Sequence, residues 1–167
     1  MRFPGDAAYA VGVAKIGDEV RILAPLCDDE RISIVEVYDN QAALERTGSR
    51  TGEPTLAPYW KVADPHSDAA AKGEFVIGRD SSFTRVLVLA KSGAVRPEIS
   101  AVEITVLRAD RRHVVGDAFR LKEVPEFQSG TDAKSVKYVY DQGANSEKLL
   151  TPSQISEESG CAFDYVA

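Results

Sequence analysis

The sequence predicts an all-β fold, a single antiparallel β-sandwich of about ten short strands with one or two short helices, and a β-barrel as the alternative closure. Three observations carry that prediction. Short runs alternate apolar and polar side chains with period two, the signature of a half-buried strand. Turn residues (Gly, Pro, Asp, Asn) separate these runs at close intervals. No stretch sustains the 3.6-residue period of a long helix.

The best-patterned stretch is Tyr9–Tyr38. Tyr9, Val11 and Val13 share one face of the first strand, while Ala10, Gly12 and Ala14 share the other, a small-residue face that invites close approach by another layer. Gly17-Asp18 between Ile16 and Glu19 reads as a type II′ hairpin turn, because glycine accepts the positive φ of the first central position. Val20, Ile22 and Ala24 continue the buried face. Pro25 breaks the pairing ahead of Cys27-Asp28-Asp29-Glu30, and Ile32–Tyr38 resumes it.

A short helix is expected over Gln41–Arg46 and a flexible loop over Thr47–Pro58. Tyr59–Val62 and Phe75–Gly78 read as strands. Thr84–Ala90 is apolar on both faces, Val86 and Val88 against Leu87 and Leu89, which places it centrally in a sheet. Ala101–Arg108 and His113–Leu121 form a long hairpin around the turn Ala109–Arg112. In Ser135–Tyr140, Val136, Tyr138 and Tyr140 share a side. Thr151-Pro152-Ser153-Gln154 starts a helix, with Thr as cap, Pro at the first helical position and Gln three residues on. Cys161–Val166 reads as a last strand.

With 167 residues, 44% hydrophobic and 28% charged, the chain suits one globular domain over residues 1–167. No apolar run reaches the roughly 18 residues of a transmembrane segment. Met1–Asp6 carries no signal-peptide core, so a cytoplasmic location is expected if Met1 is the native start, and an extracellular one if a leader was trimmed. The net charge of −6 argues against nucleic acid as a partner. Residues 81–140 run against that sign, with ten basic and seven acidic side chains.

The runs Tyr9-Ala10-Val11-Gly12-Val13-Ala14, Arg21-Ile22-Leu23-Ala24-Pro25-Leu26-Cys27 and Ile34-Val35-Glu36-Val37-Tyr38 resemble small uncharacterised β-rich proteins of GC-rich bacteria, some of them exported. Tyr59-Trp60-Lys61-Val62-Ala63-Asp64-Pro65 extends the resemblance. It implies a sandwich, and no activity, cofactor or site residue.

The chemical motifs are sparse. Three carboxylates beside Cys27 raise a thiol's pKa and so oppose a nucleophilic role. A disulfide between Cys27 and Cys161 would close most of the chain. Four Cys and His residues scattered at 27, 66, 113 and 161 do not make a zinc set, and the polar loop Asp141–Glu147 departs from a calcium loop, so no metal or cofactor is expected. No Gly-x-Ser-x-Gly or phosphate-binding glycine motif occurs.

Recognition is therefore the expected activity. Candidate partner-binding residues are Tyr59 and Trp60, and Arg108, Arg111 and Arg112 at a hairpin tip, since Tyr, Trp and Arg are enriched in interfaces. The leading reading is a non-catalytic protein that binds another protein or itself, as a structural or virion component or an inhibitor or immunity-type protein. The alternatives are a carbohydrate-binding or cell-surface module using Tyr59 and Trp60, and a hydrolase whose site, built on His66 or His113, assembles only on folding.

Overall fold

The computed structural model describes residues 9–39, 58–90, 98–141, 147–158 and 160–165. The expected helix Gln41–Arg46, most of the Thr47–Pro58 loop and the centre of the Asp141–Glu147 loop lie outside them. The strands are β1 (Gly12–Ile16), β2 (Glu19–Leu23), β3 (Glu30–Asp39), β4 (Trp60–Pro65), β5 (Glu74–Val76) and β6 (Phe83–Val88). They continue with β7 (Ile99–Arg108), β8 (Arg111–Arg120), β9 (Glu126–Phe127), β10 (Tyr138–Asp141) and β11 (Glu147–Leu150). Two α-helices, α1 (Asp68–Ala71) and α2 (Pro152–Glu158), and four three-residue 3₁₀ turns complete the regular elements described.

The strands form two sheets. One runs β11-β10-β1-β2-β5, with β9 added parallel to β1, and the other runs β6-β4-β3-β7-β8. Neither closes on itself, so the architecture is the sandwich and not the barrel. The β1–β2 hairpin pairs Ile16 with Glu19 across Gly17-Asp18. Gly17 takes φ 60° and Asp18 stays at negative φ, as a II′ turn requires.

Alternation decides which side chains meet. Val11, Val13, Val20 and Ile22 from one sheet pack on Ile32, Val35, Val37, Val62, Val102 and Ile104 from the other. Trp60 closes one end of this core. Its ring contacts Phe83 edge-on at 5.8 Å and Phe75, from the opposite sheet, at 6.2 Å, and its indole Nε1 donates to Asp80 Oδ1 at 2.8 Å. The small face of β1 turns to a second, smaller core of Val136, Tyr138, Tyr140, Leu150 and Ile155. A Cβ on Gly12 would stand 2.9 Å from Ile155 Cδ1 and 3.0 Å from Tyr138 Cβ, so this face admits no larger residue without displacing them. Helix α2 carries Ile155 there, started by the reciprocal cap in which Thr151 N donates to Gln154 Oε1 (2.9 Å) and Gln154 N to Thr151 Oγ1 (3.4 Å).

Three local expectations are corrected. The β7–β8 turn is two residues, Ala109-Asp110, because Ala109 takes a left-handed φ of 52°, so Arg111 and Arg112 lie in β8 rather than in a turn. The expected strand Cys161–Val166 is not formed over its described residues 161–165, since Ala162–Asp164 is a 3₁₀ turn. Thr84–Ala90 is not central, since β6 forms the edge of its sheet among the described strands.

Because Trp60 is fully buried and bridges both sheets, Trp60→Ala is expected to destabilise the fold by about 3–5 kcal/mol, read as a lower urea midpoint at unchanged slope.

Candidate recognition site

The structure separates the two groups of residues that the sequence nominates. Trp60 pairs with Val37 near one end of β3, whereas Arg108 pairs with Glu30 at the other. Seven strand positions put about 23 Å between them. Trp60 has no exposed surface and cannot stack on a sugar or anchor a partner, which corrects its nomination. Its packing on Phe75 and Phe83 is the reason. Tyr59 is half-buried, its hydroxyl 3.4 Å from Ser100 Oγ.

At the opposite end, the hairpin arginines divide between the two faces of the sheet. Register places Glu30, Arg108 and Arg111 in one row and Arg31, Leu107 and Arg112 in the next. Opposed residues share a face, so Arg112 and Arg31 project outward together, and both are exposed. Arg108 turns inward and serves the fold. Its Nη2 lies 3.3 Å from Glu30 Oε2 and its Nε 3.2 Å from Asp29 Oδ2, the latter an ion pair without hydrogen-bond alignment. The Arg108 and Arg111 guanidinium groups stand 5.0 and 5.4 Å from the Phe163 ring centre.

Glu30 is the residue that the sequence reading missed. A carboxylate with no exposed surface is costly unless fully bonded. Here Oε1 accepts from Cys27 N (2.8 Å) and Ala162 N (2.9 Å), and Oε2 accepts from Phe163 N (2.8 Å) besides Arg108. Cys27 and Cys161 are joined by a disulfide with Cα atoms 4.9 Å apart, so the two segments that donate to Oε1 are also linked covalently. The junction extends to Tyr9, whose hydroxyl donates to Pro25 O at 2.9 Å and whose ring meets Tyr165 edge-on at 5.2 Å. Burial, followed by the nearby Tyr140 and Glu30, pushes the Tyr9 pKa well above that of a free tyrosine.

Donor atoms of Cys27, Glu30 and Cys161 come within 4.8 Å of one another. They do not form a metal site in this state, because the sulfurs are consumed in their mutual bond and the carboxylate already has four donors. The structure places the two histidines in different surroundings. His66 is exposed, and the His113 ring leans on Phe163 at 5.4 Å with its Nε2 buried and lacking a hydrogen-bond partner. Among the described residues no histidine reaches ion-pair distance of a carboxylate.

The feature best suited to recognition is the edge strand β6. Val86, Leu87 and Leu89 are 38, 47 and 68% exposed, three large apolar side chains within four positions. The strand's one charge, Arg85, is tied to Asp64 at 2.6 Å. The other sheet edges are protected in ways natural sheets use. Strand β5 has three residues and β11 four, while β8 carries Arg111, Arg112 and Arg120.

Two outcomes follow from the Glu30 junction. Glu30→Gln removes the charge that holds Arg108 and sets an amide against backbone N–H groups, an expected loss of about 3–5 kcal/mol in urea unfolding. Reducing the Cys27–Cys161 bond is expected to lower stability by about 2–5 kcal/mol, seen as a fall in Tm when melts are repeated with dithiothreitol. No protein-family model, curated protein or solved structure matches the chain, so its functional reading rests on this geometry.

Proposed function

We propose that the protein is a non-catalytic recognition module that binds another protein along the open edge of β6. The observation that carries this reading is a mismatch between composition and position. Thr84–Ala90 has the near-continuous apolar pattern of a strand with neighbours on both sides, yet among the described residues β6 pairs with β4 alone. An unpaired edge offers a row of backbone donors and acceptors that an extended segment of a partner satisfies by strand addition. Val86, Leu87 and Leu89 supply the apolar contacts that raise affinity beyond backbone pairing. A structural assembly component and an inhibitor or immunity-type protein both use surfaces of this kind. Outward-facing Arg31 on β3 and Arg112 on β8, separated from β6 by one and three strands, add cationic contacts for an acidic partner.

The test is affinity purification from the native source with the wild type and with a Leu87→Lys/Leu89→Lys variant, bound proteins being identified by mass spectrometry. Both substitutions lie on exposed positions, so the circular dichroism spectrum and Tm should be unchanged. A partner recovered with the wild type and depleted at least about tenfold with the variant supports the reading. Equal recovery of every specific partner by both forms refutes it.

A further inference from the structure

The Glu30 junction holds the two cysteines together by more than their own bond. Cys27 N and Ala162 N both donate to one oxygen, Glu30 Oε1, at 2.8 and 2.9 Å. Phe163 N, one residue further on, donates to Oε2 at 2.8 Å. Cys161 N donates to Asp164 Oδ2 at 3.0 Å, which fixes the turn that carries this cysteine. Arg108 reaches Glu30 Oε2 at 3.3 Å and stands over the Phe163 ring. None of these contacts involves sulfur. Breaking the disulfide therefore leaves a set of bonds that keeps the two Cα atoms near their present 4.9 Å.

Reduction by a dithiol adds two electrons and two protons to the sulfur pair and leaves the reductant as its own disulfide. What remains is a pair of thiols beside a carboxylate. The donor atoms of the three residues start within 4.8 Å of one another. Both cysteines are half-buried, so the pair is reached from one side by solvent. Two thiolates this close repel each other and Glu30, and a cation bound between them removes that repulsion.

We infer that the reduced protein binds a thiophilic divalent metal ion, of the zinc and cadmium class, between the Cys27 and Cys161 sulfurs. Each thiol gives its proton to solvent as its sulfur binds, and the two charges of the ion offset the two thiolates. Sulfur ligands select such ions over magnesium or calcium. Glu30 keeps its own donors, because as a ligand it would leave the buried Ala162 N without an acceptor. Water on the open side completes the coordination. The disulfide form has no thiolate to offer, so the redox state of one bond decides whether the site exists. The site is independent of strand addition at β6.

The test uses wild-type protein reduced with dithiothreitol, freed of it under nitrogen and titrated with Cd²⁺. Sulfur-to-cadmium charge-transfer absorption is expected to rise and saturate at one ion per chain, with molecular mass unchanged in light scattering. The oxidised protein should give no such band. Cys27→Ser and Cys161→Ser should each weaken Cd²⁺ binding by about tenfold or more. In the reduced, metal-free protein the Ala162 and Phe163 amides should keep slow hydrogen exchange, since the junction holds without the sulfur bond. Absence of the band after reduction, an equal band before it, or one ion shared between two chains overturns the inference. Loss of Ala162 and Phe163 protection on reduction, alone or with the whole fold, overturns it too. Should a serine variant fail to fold, the comparison of oxidised with reduced wild type decides.

Discussion

The Glu30 carboxylate is the constraint on which the C-terminal end of the sandwich depends. A buried negative charge needs every lone pair occupied, and the donors here come from three separate parts of the chain: Cys27, Arg108 and the Ala162-Phe163 pair. No sheet hydrogen bond joins the residue 161–165 segment to the body of the protein among the described strand pairings. Its backbone amides, one disulfide and the Phe163 ring against two arginines hold it instead. A polar cluster thus does at this end what Trp60, Phe75 and Phe83 do at the other. The apolar cluster tolerates small displacements, while a carboxylate with four directional donors fixes one arrangement.

The same arginines show why charge at a hairpin tip is a poor guide to recognition. Arg108 is neutralised by Asp29 and Glu30, and Arg111 stacks on Phe163. Arg112 alone of the three projects from the outward face, in the same row as Arg31 with Leu107 between them. The apolar residues tell the converse story. A run that would be silent in a sheet's interior becomes a feature of the surface at β6, because exposure depends on which neighbour is missing.

Much of the fold was legible because it is written in local patterns. The Gly17-Asp18 turn, the Ala10-Gly12-Ala14 face, the shared side of Val136, Tyr138 and Tyr140, and the Thr151–Gln154 cap each need only a few adjacent residues. The candidate site was less legible for physical reasons. Periodicity reports the apolar faces of Thr84–Ala90 but not its place in the sheet. The fate of Trp60 turns on Phe75 and Phe83, which arrive from other strands. Glu30 reads in sequence as one of three acids beside Cys27, since its decisive donors lie 132 and 133 positions away.

The remoteness of those donors orders the assembly of the molecule in time. On a ribosome, β1 to β3 emerge early and Glu30 is synthesised long before Ala162 and Phe163. Until Ala162 and Phe163 emerge, the pocket that will bury this carboxylate has no lid, and water must continue to solvate it. Closure of such a distant contact bears a large loop entropy and comes late. The 161–165 segment therefore acts as a late clasp: nascent chains that stop short of it retain a hydrated charge at this end of the sandwich, and quality control has a physical difference to read.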